Sequence, residues 1–271
     1  MHGSVTIRTM KKMLCVFAHP DDESFTSAAT IAKYVKAGWN VDLICATRGE
    51  KGETGFLGEK TPQELAVVRQ KELENACAVL GIQKMEFLDY VDGELKTDPP
   101  GKLENVIYEK MIESIPDIVI TFDTSGISNH PDHIRLSFAT TFAFQKYAKD
   151  IEEALIKNPE YSENAAPKLY YACVPDSAVE YLKKMKIFPE ISFEKPWVGT
   201  PDKFVTTAIS CDGFQLIKKR ALRSHVSQST DVDRFLSLTN NPLVHKEFYV
   251  QRYHGTREVF MGKMDRVSSK L

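Results

Sequence analysis

The sequence lacks the features that mark several large classes of protein. Its 271 residues carry a net charge of −2, so there is no basic excess of the kind that nucleic-acid binding usually needs. It has no apolar run of about 18 residues, which a membrane-spanning helix would require. Residues 1–11 also lack the apolar centre of a secretory signal peptide. We expect no nucleic-acid partner, no membrane anchor and a loose leader over residues 1–11.

Cysteine is scarce and badly placed for cross-linking. The five cysteines are scattered, odd in number and never arranged as C-x-x-C, which argues against a disulfide framework or a thiolate zinc site. Cys15 and Cys45 lie in apolar, strand-like runs, where free cysteine behaves as a small hydrophobic residue. This usage favours a reducing, cytoplasmic compartment.

Phosphate-binding motifs are missing as well. The polar, glycine-rich segment 47–55 matches neither G-x-x-x-x-G-K-[ST] nor G-x-G-x-x-G. We interpret this segment as a mobile loop at the mouth of a site rather than as a phosphate cradle.

What the sequence does contain is an alternation of apolar strands with amphipathic helices. Strands are predicted at 13–17, 41–46, 85–88, 117–122, 168–173 and 204–210, with an edge strand at 248–253. Helices are predicted at 24–37, 61–80, 102–114, 131–150 and 215–228. Successive β-α-β units imply parallel strands joined by right-handed crossovers. We therefore predict a Rossmann-like α/β fold, a three-layer α/β/α arrangement with a mostly parallel sheet.

The whole of residues 12–271 is predicted to form one domain with an elaborated C-terminal third, 150–271. A segment rich in proline and aromatic residues, 187–203, is either a lid or a subunit contact, so a homo-oligomer stays open.

Polar clusters follow two of the predicted strands. His19, Asp21, Asp22 and Glu23 come directly after the first strand, and the stretch 123–133 follows the fourth. Ligands of open α/β sheets bind beyond the carboxyl ends of the strands. Because parallel strands end at the same edge, we expect the two clusters to share a site.

A divalent metal ion would account for this combination of acids and histidines. Catalytic zinc takes three protein ligands and leaves a position for water. His19 and Asp22 would supply two ligands and a histidine of the second loop the third. Asp21, adjacent to a ligand, suits the role of general base. The alternatives are a histidine that only caps a helix, and acids that only favour a helix N-terminus.

Taken together, A-H-P-D-D-E at 18–23 and H-P-D-H at 130–133 resemble the signature pair of the PIG-L/LmbE-like de-N-acetylases. The resemblance covers residues 12–145, including Arg-x-x-Glu at 69–72. It implies a zinc hydrolase that removes acetyl from an N-acetylglucosamine-type group of a small-molecule conjugate.

The resemblance also implies roles for individual residues. His19, Asp22 and His133 would bind Zn²⁺, and Asp21 would be the general base. His130, protonated and oriented by Asp132, would stabilise the oxyanion or donate to the leaving group. Two further residues are candidates for substrate contact, Arg69 and Glu50; the alternative for Arg69 is an exposed ion pair with Glu72. His225 is assigned no role.

The sequence leaves three alternatives open, which are another hydrolase, a magnesium-binding module and a carbohydrate-binding relative. The site could belong to another mononuclear amidohydrolase or to a phosphoesterase, although we count ligands for only one metal. It could also belong to a non-catalytic module, either a magnesium-binding receiver-like domain or a carbohydrate-binding relative. Magnesium prefers oxygen ligands, whereas imidazole suits zinc.

Overall fold

The computed structural model describes residues 10–157, 165–259 and 267–271. Residues 1–9, which form most of the expected leader, lie outside the described residues, as do 158–164 and 260–266. The described chain forms a three-layer α/β/α structure around one large sheet, as the alternating pattern predicts.

The large sheet contains eight strands. They are β1 (Lys12–Phe17), β2 (Asn40–Thr47), β3 (Lys84–Tyr90), β4 (Ile118–Phe122), β5 (Lys168–Cys173), β8 (Thr207–Ser210), β9 (Lys246–His254) and β10 (Arg257–Glu258), and a separate hairpin contains β6 (Ile191–Ser192) and β7 (Lys195–Pro196). The order across the large sheet is β10-β9-β5-β4-β1-β2-β3, with β8 also beside β9. The first five strands are parallel, and β8, β9 and β10 pair in antiparallel fashion.

Ten α-helices accompany these strands in the described residues. They are α1 (Asp22–Thr26), α2 (Ala28–Lys36), α3 (Pro62–Leu80), α4 (Lys102–Ser114), α5 (Gly126–Asn129), α6 (Pro131–Ile156), α7 (Asp176–Lys184), α8 (Gln215–Ser224), α9 (Ser229–Ser237) and α10 (Pro242–His245). Helices α4 and α6 pack together on one face of the sheet, and α2, α3 and α8 pack together on the other. The sheet is therefore covered on both sides, and β1 is buried at its centre.

Local sequence explains the best-predicted helix. The Thr61 side chain accepts from the backbone of Glu64 while the Glu64 carboxylate accepts from the backbone of Thr61, which is a capping box with Pro62 at the first helical position. The helix ends at Gly81, whose φ of 79° belongs to the left-handed region that glycine adopts without strain.

The structure corrects several sequence-based expectations. The predicted edge strand at 248–253 is internal, since β9 pairs with β5 on one side and with β8 and β10 on the other. The predicted helix 24–37 is broken at Ser27, and the predicted helix 215–228 ends at Ser224, with a separate 3-10 turn at Val226–Gln228. Helix α7 was not predicted at all.

No helix within the described ranges combines the length and the apolar character needed to cross a bilayer.

Candidate metal centre

The two polar clusters meet because β1 and β4 are adjacent parallel strands. Met13 of β1 lies in register with Ile118 of β4, so both strands end at the same edge of the sheet. His19 follows β1 in a buried turn, and His133 lies in the first turn of α6, which begins just after β4. The expectation of a shared site is thus matched by the topology.

Three ligand-type side chains lie close together at this edge. The Nδ1 atom of His19 is 3.1 Å from the Nε2 atom of His133, and that Nε2 atom is 3.3 Å from Oδ1 of Asp22. The Asp22 Oδ2 atom lies 3.6 Å from His19 Nδ1. All three residues are at least nine-tenths buried.

Each imidazole is oriented by a hydrogen bond at its other nitrogen. The Nδ1 atom of His133 is 3.2 Å from the carbonyl oxygen of Gly126. The Nε2 atom of His19 lies 3.0 Å from Asp92 Oδ1 and 3.4 Å from Asp132 Oδ2. Those partners are acceptors only, so the ring protons belong on these outer nitrogens. In the neutral rings the two facing nitrogens then carry lone pairs.

The carboxylate of Asp22 completes a group of three electron-pair donors. Its Oδ2 atom accepts a hydrogen bond of 2.7 Å from the backbone N–H of His19. The pKa of Asp22 is lowered despite its burial, because His133 and His19 stabilise the charged form. Burial lowers the pKa of His19, but its hydrogen bonds to the carboxylates of Asp132, Asp22 and Asp92 raise it well above its ordinary value. The site attracts positive charge.

These donors fit a small tetrahedral metal ion. Zinc bonds to imidazole nitrogen and carboxylate oxygen are about 2.0–2.2 Å long, which places neighbouring tetrahedral ligands about 3.4 Å apart. The observed separations are 3.1 Å between the two histidines, 3.3 Å from His133 to Oδ1 of Asp22 and 3.6 Å from His19 to Oδ2 of Asp22, and they bracket that value. Carboxylates on the outer nitrogen of a ligating histidine are also usual in metal sites.

Asp21 lies beside this group with an unusual backbone. Its φ is 122°, which L-residues rarely adopt. Its Oδ2 atom accepts a hydrogen bond of 3.2 Å from Nη2 of Arg69. Burial raises the pKa of Asp21 to about 7, although the charge of Arg69 acts in the opposite direction. A carboxyl group in this range can take up and return a proton near neutral pH.

Arg69 is buried beneath the site, in a position unlike that of a surface ion pair. Its guanidinium donates to the carbonyl oxygens of Pro20 and Gly49 as well as to Asp21. A Cβ atom at Gly49 would lie 2.4 Å from the Arg69 Nη1 atom, so glycine is needed for this close approach. The alternative of a pair between Arg69 and Glu72 is wrong, since the Glu72 carboxylate accepts from the backbone and hydroxyl of Ser227.

His130 lies next to the two other histidines but is held differently from what we expected. Its Nδ1 atom accepts from the backbone N–H of Asp132, which leaves the proton of the neutral ring on Nε2. Burial, together with His133 and His19, lowers the pKa of His130 to about 3, so the expected protonated ring is not favoured. His130 could also approach a metal, since its ring lies within 4.8 Å of the other two, but a protonated Nε2 cannot be a ligand.

The carboxylate of Asp132 does not orient His130. It accepts hydrogen bonds from the backbone N–H groups of Gly93 and Leu95 and faces His19 Nε2. The structure therefore places it behind a proposed ligand rather than behind the proposed oxyanion donor.

Sequence reasoning missed Asp92, whose carboxylate is the nearer of the two on His19. It follows β3, and its Oδ2 atom accepts from the backbone N–H of Lys51. The signal was the one used for the other clusters, a polar residue just beyond a parallel strand. Glu50, a predicted substrate contact, accepts from the backbone N–H of Asp92, and its second oxygen is buried with no hydrogen-bond partner in the described part of the chain.

A cavity of about 820 Å³ opens above the cluster. His19, Asp21 and His133 lie on its floor, and the segment 187–197 contributes an aromatic wall. The rings of Phe188 and Trp197 stack 4.0 Å apart. The segment left open as a lid or subunit contact therefore borders the cavity within this chain.

The aromatic wall is fixed to the polar stretch 123–133 that follows β4. Trp197 Nε1 donates to the carbonyl oxygen of Ile127 over 2.6 Å, and Asn129 donates to the hairpin carbonyls of Ser192 and Pro196. The Phe193 ring stands 4.5 Å from the ring of His130. The hairpin thus limits the space beside His130.

Comparison with solved structures supports the fold. The chain superimposes on N,N'-diacetylchitobiose deacetylase from Pyrococcus horikoshii with a TM-score of 0.62, covering 91% of this chain and 85% of that one at 21% identity. It superimposes equally well on GalB, the 4-carboxy-2-hydroxymuconate hydratase from Pseudomonas putida KT2440, with a TM-score of 0.63 over 93% and 100% of the chains at 18% identity. One fold therefore carries different reactions, and the likeness alone does not identify the chemistry.

Sequence comparison is more specific. Residues 14–144 match the family described as PIG-L, GlcNAc-PI de-N-acetylase. The chain is 30% identical over 256 residues to 1D-myo-inositol 2-acetamido-2-deoxy-alpha-D-glucopyranoside deacetylase 2 of Catenulispora acidiphila, which covers 85% of this chain and 84% of that protein. The chain belongs to the PIG-L family of de-N-acetylases.

Proposed function

We propose that this protein hydrolyses the acetamide of an N-acetylglucosamine-type group on a small conjugate, with zinc held by His19, Asp22 and His133. The observation that carries this proposal is the meeting of three electron-pair donors within 3.6 Å, with both imidazoles oriented from behind. The family assignment supplies the reaction class. A bound zinc ion would lower the pKa of water to about 7 and polarise the amide carbonyl.

Asp21 is the residue best placed to move protons in this reaction. It lies on the cavity floor beside Asp22, and Arg69 fixes its carboxylate. As general base it takes a proton from the attacking water, and it then returns that proton to the leaving amine.

His130 is proposed to stabilise the charge that develops on the carbonyl oxygen. Its Nδ1 atom is committed to the backbone of Asp132, so Nε2–H is the group that can donate. A neutral donor is enough for this role, which replaces the protonated histidine we expected from the sequence.

The substrate is proposed to be an N-acetylglucosaminyl conjugate because named relatives act on such compounds. The relative from Catenulispora is named for an inositol 2-acetamido-2-deoxyglucopyranoside, and the Pyrococcus enzyme for N,N'-diacetylchitobiose. Arg69 and Glu50 were candidates for substrate contact. Arg69 does line the cavity, but its hydrogen bonds hold neighbouring backbone, so we propose support of Asp21 as its main role.

Acetate release tests the proposal directly. Purified protein is incubated with N-acetylglucosaminyl inositol, N,N'-diacetylchitobiose and free N-acetylglucosamine, before and after chelation and with zinc or iron(II) restored. We expect acetate from at least one conjugate, loss on chelation and recovery with zinc. Two histidines and a carboxylate also suit iron(II), so stronger recovery with iron would correct the metal. Full activity after complete metal removal would end the proposal.

A further inference from the structure

The backbone at Asp21 needs an explanation that the metal site does not provide. With φ at 122° and ψ at −26°, Asp21 occupies a region that is strained for a non-glycine residue. Such a conformation persists only where the surroundings impose it. The turn is the one that directs the proposed general base, so whatever holds it affects the chemistry.

The group that holds the Asp21 backbone is Glu23. Its Oε2 atom accepts a hydrogen bond of 3.1 Å from the backbone N–H of Asp21. Its Oε1 atom accepts from the hydroxyl of Ser24 at 2.5 Å and lies 2.9 Å from Nε2 of His225. Glu23 is fully buried.

A buried carboxylate is costly unless a positive charge lies beside it, and His225 is placed to supply that charge. His225 is the residue that directly follows α8 and lies 202 positions after Glu23 in the sequence. Its side chain is completely buried. Its Nε2 atom faces Glu23 and Ser24, and its Nδ1 atom has no hydrogen-bond partner among the described residues. Burial lowers the pKa of His225, but the charge of Glu23, the hydrogen bond to Glu23 and the charge of Asp21 together raise it above its ordinary value.

We propose that His225 is a positioning residue for Asp21, acting through Glu23. The imidazole fixes the Glu23 carboxylate, and that carboxylate fixes the N–H of Asp21 in its strained turn. Arg69 holds the other end of the same residue, at the side chain. Two parts of the chain therefore hold the proposed general base. His225 of the C-terminal third fixes its backbone through Glu23, and Arg69 of α3 fixes its carboxylate.

This inference rests on the proposed function for its kinetic test. His225→Met removes the hydrogen bond and charge at similar volume, and His225→Gln restores a donor near the Nε2 position. Misplacement of a catalytic group by about 1 Å can cost about a hundredfold. We expect His225→Met to lower kcat by about 10- to 100-fold with KM and zinc content unchanged, and His225→Gln to recover most of the activity.

A matched control comes from a second tether between the same two parts of the chain. Tyr249 of β9 is fully buried and donates to the hydroxyls of Ser27 and Thr30, where α1 meets α2. Its hydroxyl bonds to these two residues rather than to Glu23 or Asp21. Tyr249→Phe should lower stability and leave kcat of the folded enzyme unchanged. If it lowers kcat as much as His225→Met does, the effect is a general one and the proposal fails.

Coupling to Asp21 separates positioning from a merely structural role. In an Asp21→Asn background, His225→Met should cause little further loss, since the group it positions has already lost its function. An undiminished second loss, or a kcat unchanged by His225→Met alone, would overturn the proposal. If His225→Met does not fold, Glu23→Gln takes its place in the same cycle, because it removes the charge at nearly the same shape.

A crystal structure of His225→Met, or of Glu23→Gln, tests the inference without any substrate. We expect Asp21 to leave its positive φ and its N–H to lose the Glu23 contact. An unchanged turn in the variant would refute the positioning role even if the enzyme deacetylates as proposed. Conversely, a relaxed turn would support it even if no acetate were released by the wild type, so the two proposals fail separately.

Discussion

The N-terminal half of the chain and its C-terminal third contribute to the site in different ways. Residues 12–145 provide the proposed metal ligands, the proposed base and the residues behind them. Residues 168–259 provide no proposed ligand, yet they send buried polar side chains back to the same turn and helices. His225 reaches Glu23, and Lys218 with Glu247 reaches the backbone of α1 and α2.

The contrast separates reactive groups from the groups that hold them. The motifs near β1 and β4 carry the chemistry within short stretches of sequence, which is why they are readable. The turn after β1 also depends on a partner about 200 residues away, His225, whose contact with Glu23 is visible only in the folded chain. We therefore expect changes in the N-terminal half to remove activity, and most changes in the C-terminal third to remove stability.

Loss of a metal ligand should have the largest effect. His133→Ala removes one of three donors, and we expect zinc to be lost and acetate release to fall to the level of the buffer control. Elemental analysis of the purified variant measures the metal. The control is His245→Ala, because His245 is exposed and its Nε2 lies 3.0 Å from the carbonyl oxygen of Thr239. This variant should keep both its zinc and its acetate release. Stoichiometric zinc in His133→Ala would show the ligand set to be wrong.

Loss of the proposed base should come next. Asp21→Asn keeps the shape of the side chain, and asparagine tolerates a positive φ, so the turn should persist. We expect zinc to stay bound while kcat falls by about a hundredfold or more. Steady-state kinetics alongside metal analysis distinguish this from His133→Ala. A normal kcat would remove Asp21 from the mechanism.

Asp92→Asn should have a smaller effect, because the residue acts through His19. Removing such a carboxylate typically costs about 10- to 100-fold in metal affinity or activity. Competition with a chelator of known affinity measures the metal affinity. Asp89, three residues earlier and 69% exposed at its side chain, provides the control Asp89→Asn, which should bind metal normally. Equal affinities in the two variants would mean that Asp92 does not support the ligand.

The same contrast explains how much the sequence could reveal. The parallel sheet, the capping box of α3 and the meeting of two clusters all follow from local patterns and strand direction. The antiparallel strands β8–β10 do not, because their pairing depends on long-range contacts. His225 was left without a role for the same reason, since its partner is known only once α8 is packed. Asp92 could have been found, because it obeys the strand-end rule used for His19.

Lys218→Met should have the smallest effect on the reaction, and it tests the C-terminal side of the contrast. The Lys218 ammonium lies 2.8 Å from Glu247, and both side chains are buried. Removing one partner of a buried ion pair costs about 3–5 kcal/mol, because the other charge is left uncompensated. We expect urea unfolding at 25 °C to show a loss of that size, with kcat per folded molecule unchanged.

Adding Glu247→Gln to Lys218→Met removes the stranded charge but keeps an oxygen for the N–H groups of Ala29 and Thr30, which Glu247 accepts in the native protein. Part of the lost stability should return, because a neutral amide costs less to bury than an unpaired carboxylate. A fall in kcat without a fall in stability would contradict the distinction between an N-terminal half that supplies activity and a C-terminal third that supplies stability. It would mean that the Lys218–Glu247 pair, like His225, affects the reacting groups. The C-terminal third would then act on the chemistry through more than one contact.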